Sequence, residues 1–176
     1  MAQRIWYGLA AGAAGTTALN AVTYLDMAVR GRPASSTPEQ TVRMIEDATH
    51  LSLSQDGPDS DAAGNRRGGI AALMGIATGL TSGVAYALLR PHAPAVPLPV
   101  AGLVAGMAAN AGTVLPMAAS GVSDPRTWTP SSWLSDIVPH IAFGMVTAAV
   151  FDALDRPSTP SRLAAALRRV TAIAGR

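Results

Sequence analysis

Asp136 stands four residues before His140 in the stretch "SSWLSDIVPHIAFG", residues 131–144. On a helix that spacing puts both side chains on one face. An acid beside an imidazole can do three things. It can form a hydrogen bond that fixes helix orientation. It can relay a proton or cation, because histidine titrates near neutral pH and an adjacent acid tunes it. It can also contribute to a Zn or Mn site, if Glu46 and His50 join Asp136 and His140 to supply two carboxylates and two imidazoles. All three readings stay open from the residues alone.

The surroundings decide how costly the pair is. The chain has 176 residues, 49% hydrophobic and 14% charged, against about 25% charge in soluble domains. No Asp, Glu, Lys or Arg occurs in residues 5–25, 68–89, 91–123 or 137–151. A membrane-spanning helix needs about 20 mainly apolar residues. The expected fold is therefore all-α and integral to a membrane, a single domain over residues 1–176. Its four transmembrane helices lie near residues 5–29, 68–90, 100–119 and 133–154. A soluble Ala-rich bundle would instead show polar residues at every turn. From Asp136 to Asp152 a helix covers about 24 Å, less than the ~30 Å hydrocarbon core. At least one of these acids thus sits at or inside the hydrocarbon edge. Asp152 with Arg156, and Asp26 with Arg30, read as interface anchors one turn apart. Asp136 has no Arg within a turn, so His140 is its natural partner. Pro139 between them removes a backbone donor.

The spans are punctuated by small residues. Gly8 and Gly12, Gly75, Gly79 and Gly83, and Gly102 and Gly106 recur at intervals of four, and Gly144 lies in line with His140. In lipid such stripes let helix backbones approach closely, so these eight glycines are expected at helix contacts. Asn20 and Asn110, with Thr113 and Tyr24, are candidates to line a polar pathway or to bond between helices. In the polar segment 31–67, "STPEQTVRMIEDATHLSL" reads as a short surface helix capped by Thr37, with Pro38 at its first position and Gln40 completing the cap. An acidic loop follows. Residues 161–174 read as a basic amphipathic helix suited to an anionic membrane surface.

The two halves look alike. "GLAAGAA" from Gly8 matches "GLVAGMA" from Gly102, and Thr37–Pro38 matches Thr129–Pro130. Glu46 with His50 parallels Asp136 with His140, and "GVAYALLRP" parallels "AVFDALDRP". Two parallel two-helix repeats are expected, related by an axis along the membrane normal. Seven Arg fall on the side of the termini and six on the other. This weak bias puts both termini in the cytoplasm and leaves a dual topology open.

Cysteine is absent, which excludes disulfides and thiolate metal sites. There is no phosphate-binding glycine loop and no nucleophile elbow. An enzyme is therefore disfavoured, no cofactor is expected, and the net charge of +2 gives no nucleic-acid signal. The expected partners are the lipid bilayer and either further copies of the chain or a larger membrane complex. At "PMAASGVSDPRTWTPSSWLSDIVPHIAFG" the sequence resembles the YagU-like family of small bacterial inner-membrane proteins. The shared features are a Gly-rich span, a Pro-containing end, a Trp-bearing turn and an acid–Ile–x–x–His helix start. "TALNAVTYLDM" and "DPRTW" also resemble actinobacterial four-span membrane proteins. The resemblance implies a helical protein of the bacterial inner membrane and carries no established activity. The long acidic loop departs from the YagU pattern. The functional expectation is a small channel or transporter for protons, ions or a small solute, using Asp136 and His140. The alternative is a non-transporting scaffold or accessory subunit of a membrane complex.

Overall fold

The computed structural model describes residues 1–53, 57 and 59–156. The expected tail helix, and part of the acidic loop, lie outside the described residues. Five α-helices and no strand are found among those described. They are α1 (Ala2–Arg30), α2 (Thr37–Thr49), α3 (Asp61–Leu89), α4 (Leu98–Ala119) and α5 (Pro130–Leu154). Short 3-10 turns at Arg90–His92 and Pro125–Thr127 join the later ones.

Local chemistry sets the boundaries. Gly31 ends α1 with φ 61°, the left-handed conformation that glycine adopts without a Cβ penalty. The cap of α2 falls one residue before the expected Thr37. Ser36 is the N-cap, and the Gln40 amide donates to its hydroxyl at 2.9 Å. His50 closes that helix at φ 56°. The Ser60 hydroxyl accepts from the Ala63 N–H, and Thr129 accepts from Ser132 N–H at 3.1 Å, starting α3 and α5. Pro139 lies inside α5. Lacking an N–H, it leaves the Ser135 carbonyl without its helical donor.

α1 packs between α3 and α5, and α4 packs on α5. Gly8 opposes Gly83 while Gly12 opposes Gly79, so α1 and α3 run antiparallel. Gly106 opposes His140 while Gly102 opposes Met145, so α4 and α5 do likewise. The buried positions of α1 are Gly8, Ala11, Gly12 and Gly15, whereas Leu73, Ile76, Leu89, Val104, Leu115 and Leu134 face outward. Small residues inside and large apolar ones outside is the reverse of a soluble bundle and suits a lipid surround. Three helices are long and apolar enough to cross a membrane, Asp61–His92, Leu98–Ala119 and Pro130–Leu154. α1 has 29 residues, and its Gly, Ala and Thr content makes it less apolar than these three.

Charged side chains close both ends of the bundle. At one end Asp26 accepts from Arg30 and Arg32, each at 2.5 Å, and from Ser135 at 3.2 Å. Arg30 reaches on to Ser131 at 2.5 Å, tying α1 to the start of α5. The local pair Asp26–Arg30 is thus as expected. At the other end the expected Asp152–Arg156 pair is replaced. Asp152 is held by Arg90, 62 residues earlier, at 2.8 Å, because the antiparallel path brings the end of α3 beside the end of α5. Arg4 pairs there with Asp155 at 3.2 Å.

α2 lies against the start of α3, with Val42 and Glu46 buried. Glu46 forms an ion pair with Arg67, and both side chains are 9% exposed. Glu46 also accepts from the Leu53 N–H at 3.0 Å, which fastens the chain leaving α2. The Arg67 hydrogen bond holds the Glu46 carboxyl below the usual carboxylate range, against the opposing pull of burial. A depressed folded pKa means the pair stabilises fully above the ordinary carboxylate pKa and is lost as pH falls through the folded value. α2 is therefore expected to swing away from α3 only in acid, below the ordinary carboxylate pKa. Spin-label distances between α2 and α3 should lengthen in acid in the wild type. In Glu46→Gln they should be long, or broadly distributed, already at neutral pH.

Candidate functional site

The crossing of α4 and α5 builds the site. An added Cβ at Gly102 would meet Met145 Sδ at 2.8 Å and Met145 Cα at 3.0 Å. One at Gly106 would press on the His140 carbonyl, and one at Gly144 would fall closer than 3.0 Å to backbone atoms of Gly102 and Gly106. At Gly106 and Gly144 backbone meets backbone, with no side chain between the two helices. Asn110, one turn beyond Gly106, is thereby pressed onto α5 and is only 5% exposed.

Asn110 faces Asp136 and His140 together. Its Nδ2 donates to Asp136 Oδ2 and lies 3.2 Å from His140 Nδ1. His140 Nδ1 is 2.7 Å from the Asp136 backbone carbonyl and 3.7 Å from Asp136 Oδ1. The Thr113 hydroxyl donates to the Asn110 carbonyl at 2.8 Å, supporting the amide from behind. The Asp136 side chain is 24% exposed and that of His140 14%.

The shortest of these distances favours one tautomer. A carbonyl oxygen has no proton to give, so a ring nitrogen 2.7 Å away must supply one. His140 Nδ1 therefore carries the hydrogen, and its 3.2 Å approach to the Asn110 amide is a contact between two donors. In the neutral ring the lone pair resides on Nε2. Nitrogen NMR of protein labelled at His140 should then show a protonated Nδ1 and an unprotonated Nε2 in the neutral form. The opposite assignment would overturn this reading of the pair.

The remaining candidates are scattered. Asn20 lies part-buried on α1 without joining this network, and Tyr24 points outward at 63% exposure. Glu46 is occupied by Arg67, and His50 is an exposed helix end. No group of three or more His, Asp or Glu among the described residues is placed to hold a metal ion. The four residues Glu46, His50, Asp136 and His140 are thus not gathered into one ligand set. Of the eight glycines, seven lie at helix contacts. The exception is Gly75, where an added Cβ would meet nothing within 4 Å. Three residues with no motif around them matter as well. Gly15 receives Thr147 and Phe143 of α5, and Tyr86 stacks edge-on against Phe151 at 5.6 Å. Periodicity on α5 marks Thr147 as inward-facing, and no pattern marks the other two.

No protein-family model, curated protein or solved structure matches this chain.

Proposed function

We propose that the chain is a four-span protein of the bacterial inner membrane, with α1, α3, α4 and α5 as the spans and both termini cytoplasmic. It acts there as a small proton-handling channel or transporter through Asp136 and His140. The observation that carries this reading is the Asp136 carboxylate, which accepts from the Asn110 amide, has His140 one turn on and pairs with no Arg among the described residues, at the crossing of two apolar helices. Ionisable groups placed within a span are expensive and are kept for ion and proton pathways. The proton fits better than a metal ion, because among the described residues no group of three or more His, Asp or Glu is placed to hold one.

A two-helix duplication underlies the arrangement. Gly8 and Gly12 meet Gly83 and Gly79 as Gly102 and Gly106 meet Gly144 and His140. The first members of these sets are 94 residues apart and the second members 61 residues apart. In this register Thr16 is the counterpart of Asn110, Gly79 that of His140, and Gly83 that of Gly144 rather than of Ala149, with which the match of "GVAYALLRP" to "AVFDALDRP" pairs it. Glu46 and His50 then have no role in the repeat, and only the second helix pair carries the ionisable cluster.

Reconstituted protein should dissipate an imposed pH gradient faster than empty liposomes, read with an enclosed pH-sensitive dye. His140→Ala should abolish the difference. Wild-type flux no greater than that of empty liposomes would sink the reading and favour a non-transporting scaffold. Substitution of His140 is also expected to leave the fold intact, so the variant should elute as the wild type does in detergent.

A further inference from the structure

Two buried side-chain polar atoms among the described residues make no hydrogen bond, the hydroxyls of Thr147 and Tyr86. Burying a hydroxyl without a partner is costly. Local geometry offers threonine an easy escape, since a helical hydroxyl can donate to the carbonyl one turn back. Thr16, Thr17, Thr81 and Thr113 all take it. Thr147 does not, although it is fully buried. Its hydroxyl is turned to α1, where only Gly15 leaves room for it.

The positions of these two hydroxyls are not scattered. Asp136, His140, Thr147 and Phe151 follow one another along α5 at intervals of four, seven and four residues, which keeps them on one face of a helix. Tyr86 of α3 packs its ring edge-on against Phe151, and Arg90 and Asp152 pair one turn beyond it. The two unpartnered hydroxyls therefore stand between the ionisable cluster at one end of α5 and the charged pair at the other. The titratable groups around this line are few. α4 presents none, α3 presents Tyr86 and Arg90, and α1 presents Tyr7, with Arg4 on Asp155 at one end and Asp26 and Arg30 on Ser131 and Ser135 at the other.

We infer that Thr147 and Tyr86 continue the proton route from His140 Nε2 to Asp152 at the far end of the bundle; this rests on the proposed function. From His140 to Thr147 the rise is about 10 Å, and a hydrogen-bonded step covers about 2.8 Å, so a file of about three waters spans it. Each hydroxyl accepts a proton from the water on one side and releases its own to the next acceptor, so one proton moves and the hydroxyl is regenerated. The Phe143 ring, buried between α1 and α5 at Gly15, lies on the stretch between His140 and Thr147, so it must swing aside for the file to form.

Thr147→Val and Tyr86→Phe remove the hydroxyls at nearly constant shape. Each is expected to lower proton flux by about a hundredfold or more, the lower end of what one positioned proton carrier contributes. Their melting temperatures should stay level or rise, because the deleted oxygen made no hydrogen bond. Thr147→Ser keeps the hydroxyl and should keep the flux. Wild-type flux in both Val and Phe variants, with His140→Ala still inactive, would overturn the route and leave the proposed function standing. Wild-type protein that conducts nothing would fail the functional reading, and the route with it.

Discussion

Gly144→Ala should cost the protein about 2 to 3 kcal/mol, the upper range for forcing extra volume into a packed contact. The added Cβ falls closer than 3.0 Å to Gly102 O, Gly106 N and Gly106 Cα. All three are helix backbone, which cannot rotate aside as a side chain would. α4 must move away from α5, and the dispersion contacts along the pair weaken with the gap. The same shift draws Asn110 off Asp136. Against this stands the helix propensity of alanine over glycine, about 1 kcal/mol, which is too small to win. Gly83→Ala is the counterpart on α3, where the Cβ would strike Gly8 and Gly12. Gly75→Ala and Gly112→Ala meet nothing within 4 Å. They should express only the propensity gain, up to about 1 kcal/mol. Thermal unfolding in detergent separates the two classes. Equal melting temperatures for Gly144→Ala and Gly75→Ala would refute the argument.

The same glycines show what the sequence discloses and what it withholds. Spacing of four marks a face that helices can share, and an added Cβ at Gly79 or Gly83 would meet atoms of α1. It does not say how far the shared face runs. Packed helices cross at an angle and part within a few turns, so Gly75, one turn before Gly79, already stands clear. Nor does spacing say how many neighbours a helix has. Gly15 is off the stripe of Gly8 and Gly12 because it serves α5, while they serve α3. Charges behave in the same way. Asp26 and Arg30 pair within one turn, a distance a sequence states directly. Asp152 had Arg156 within a turn as well, but Arg90 arrives from another helix with two donors aimed at one carboxylate. Local proximity lost to a bidentate geometry that only the antiparallel fold creates. The Asp136–His140 spacing was legible for the reason Asp26–Arg30 was. The place of Asn110 between them was not, because it depends on the close approach at Gly106.

Arg90→Ala is expected to destabilise by about 1 to 3 kcal/mol, between the values for an exposed and a fully buried ion pair, because this pair is part-buried. Arg90 Nε lies 3.0 Å and 3.3 Å from the two Asp152 oxygens, and Nη2 lies 2.8 Å from Oδ2. Nη1 donates to the carbonyls of Ala93 at 2.7 Å and Val96 at 3.1 Å, fixing the turn between α3 and α4. The side chains are 15% and 17% exposed, so little water would replace what is lost. Alanine strips the Asp152 carboxylate of its two-donor partner, leaving only Arg156 one turn on, and frees two carbonyls. Lysine at this position keeps the charge but not the planar fork, and should recover only part of the loss. Asp152→Asn removes the stranded charge. The double variant should therefore lose less than the two single variants added together, which a double-mutant cycle measures as coupling. Arg4→Ala is the control. Its partner Asp155 lies at 3.2 Å, but Arg4 is 46% exposed, and such surface pairs contribute about 0 to 1 kcal/mol. If Arg90→Ala melts with Arg4→Ala, or if the cycle is additive, the pair is a surface contact and the two helix ends are held by packing alone.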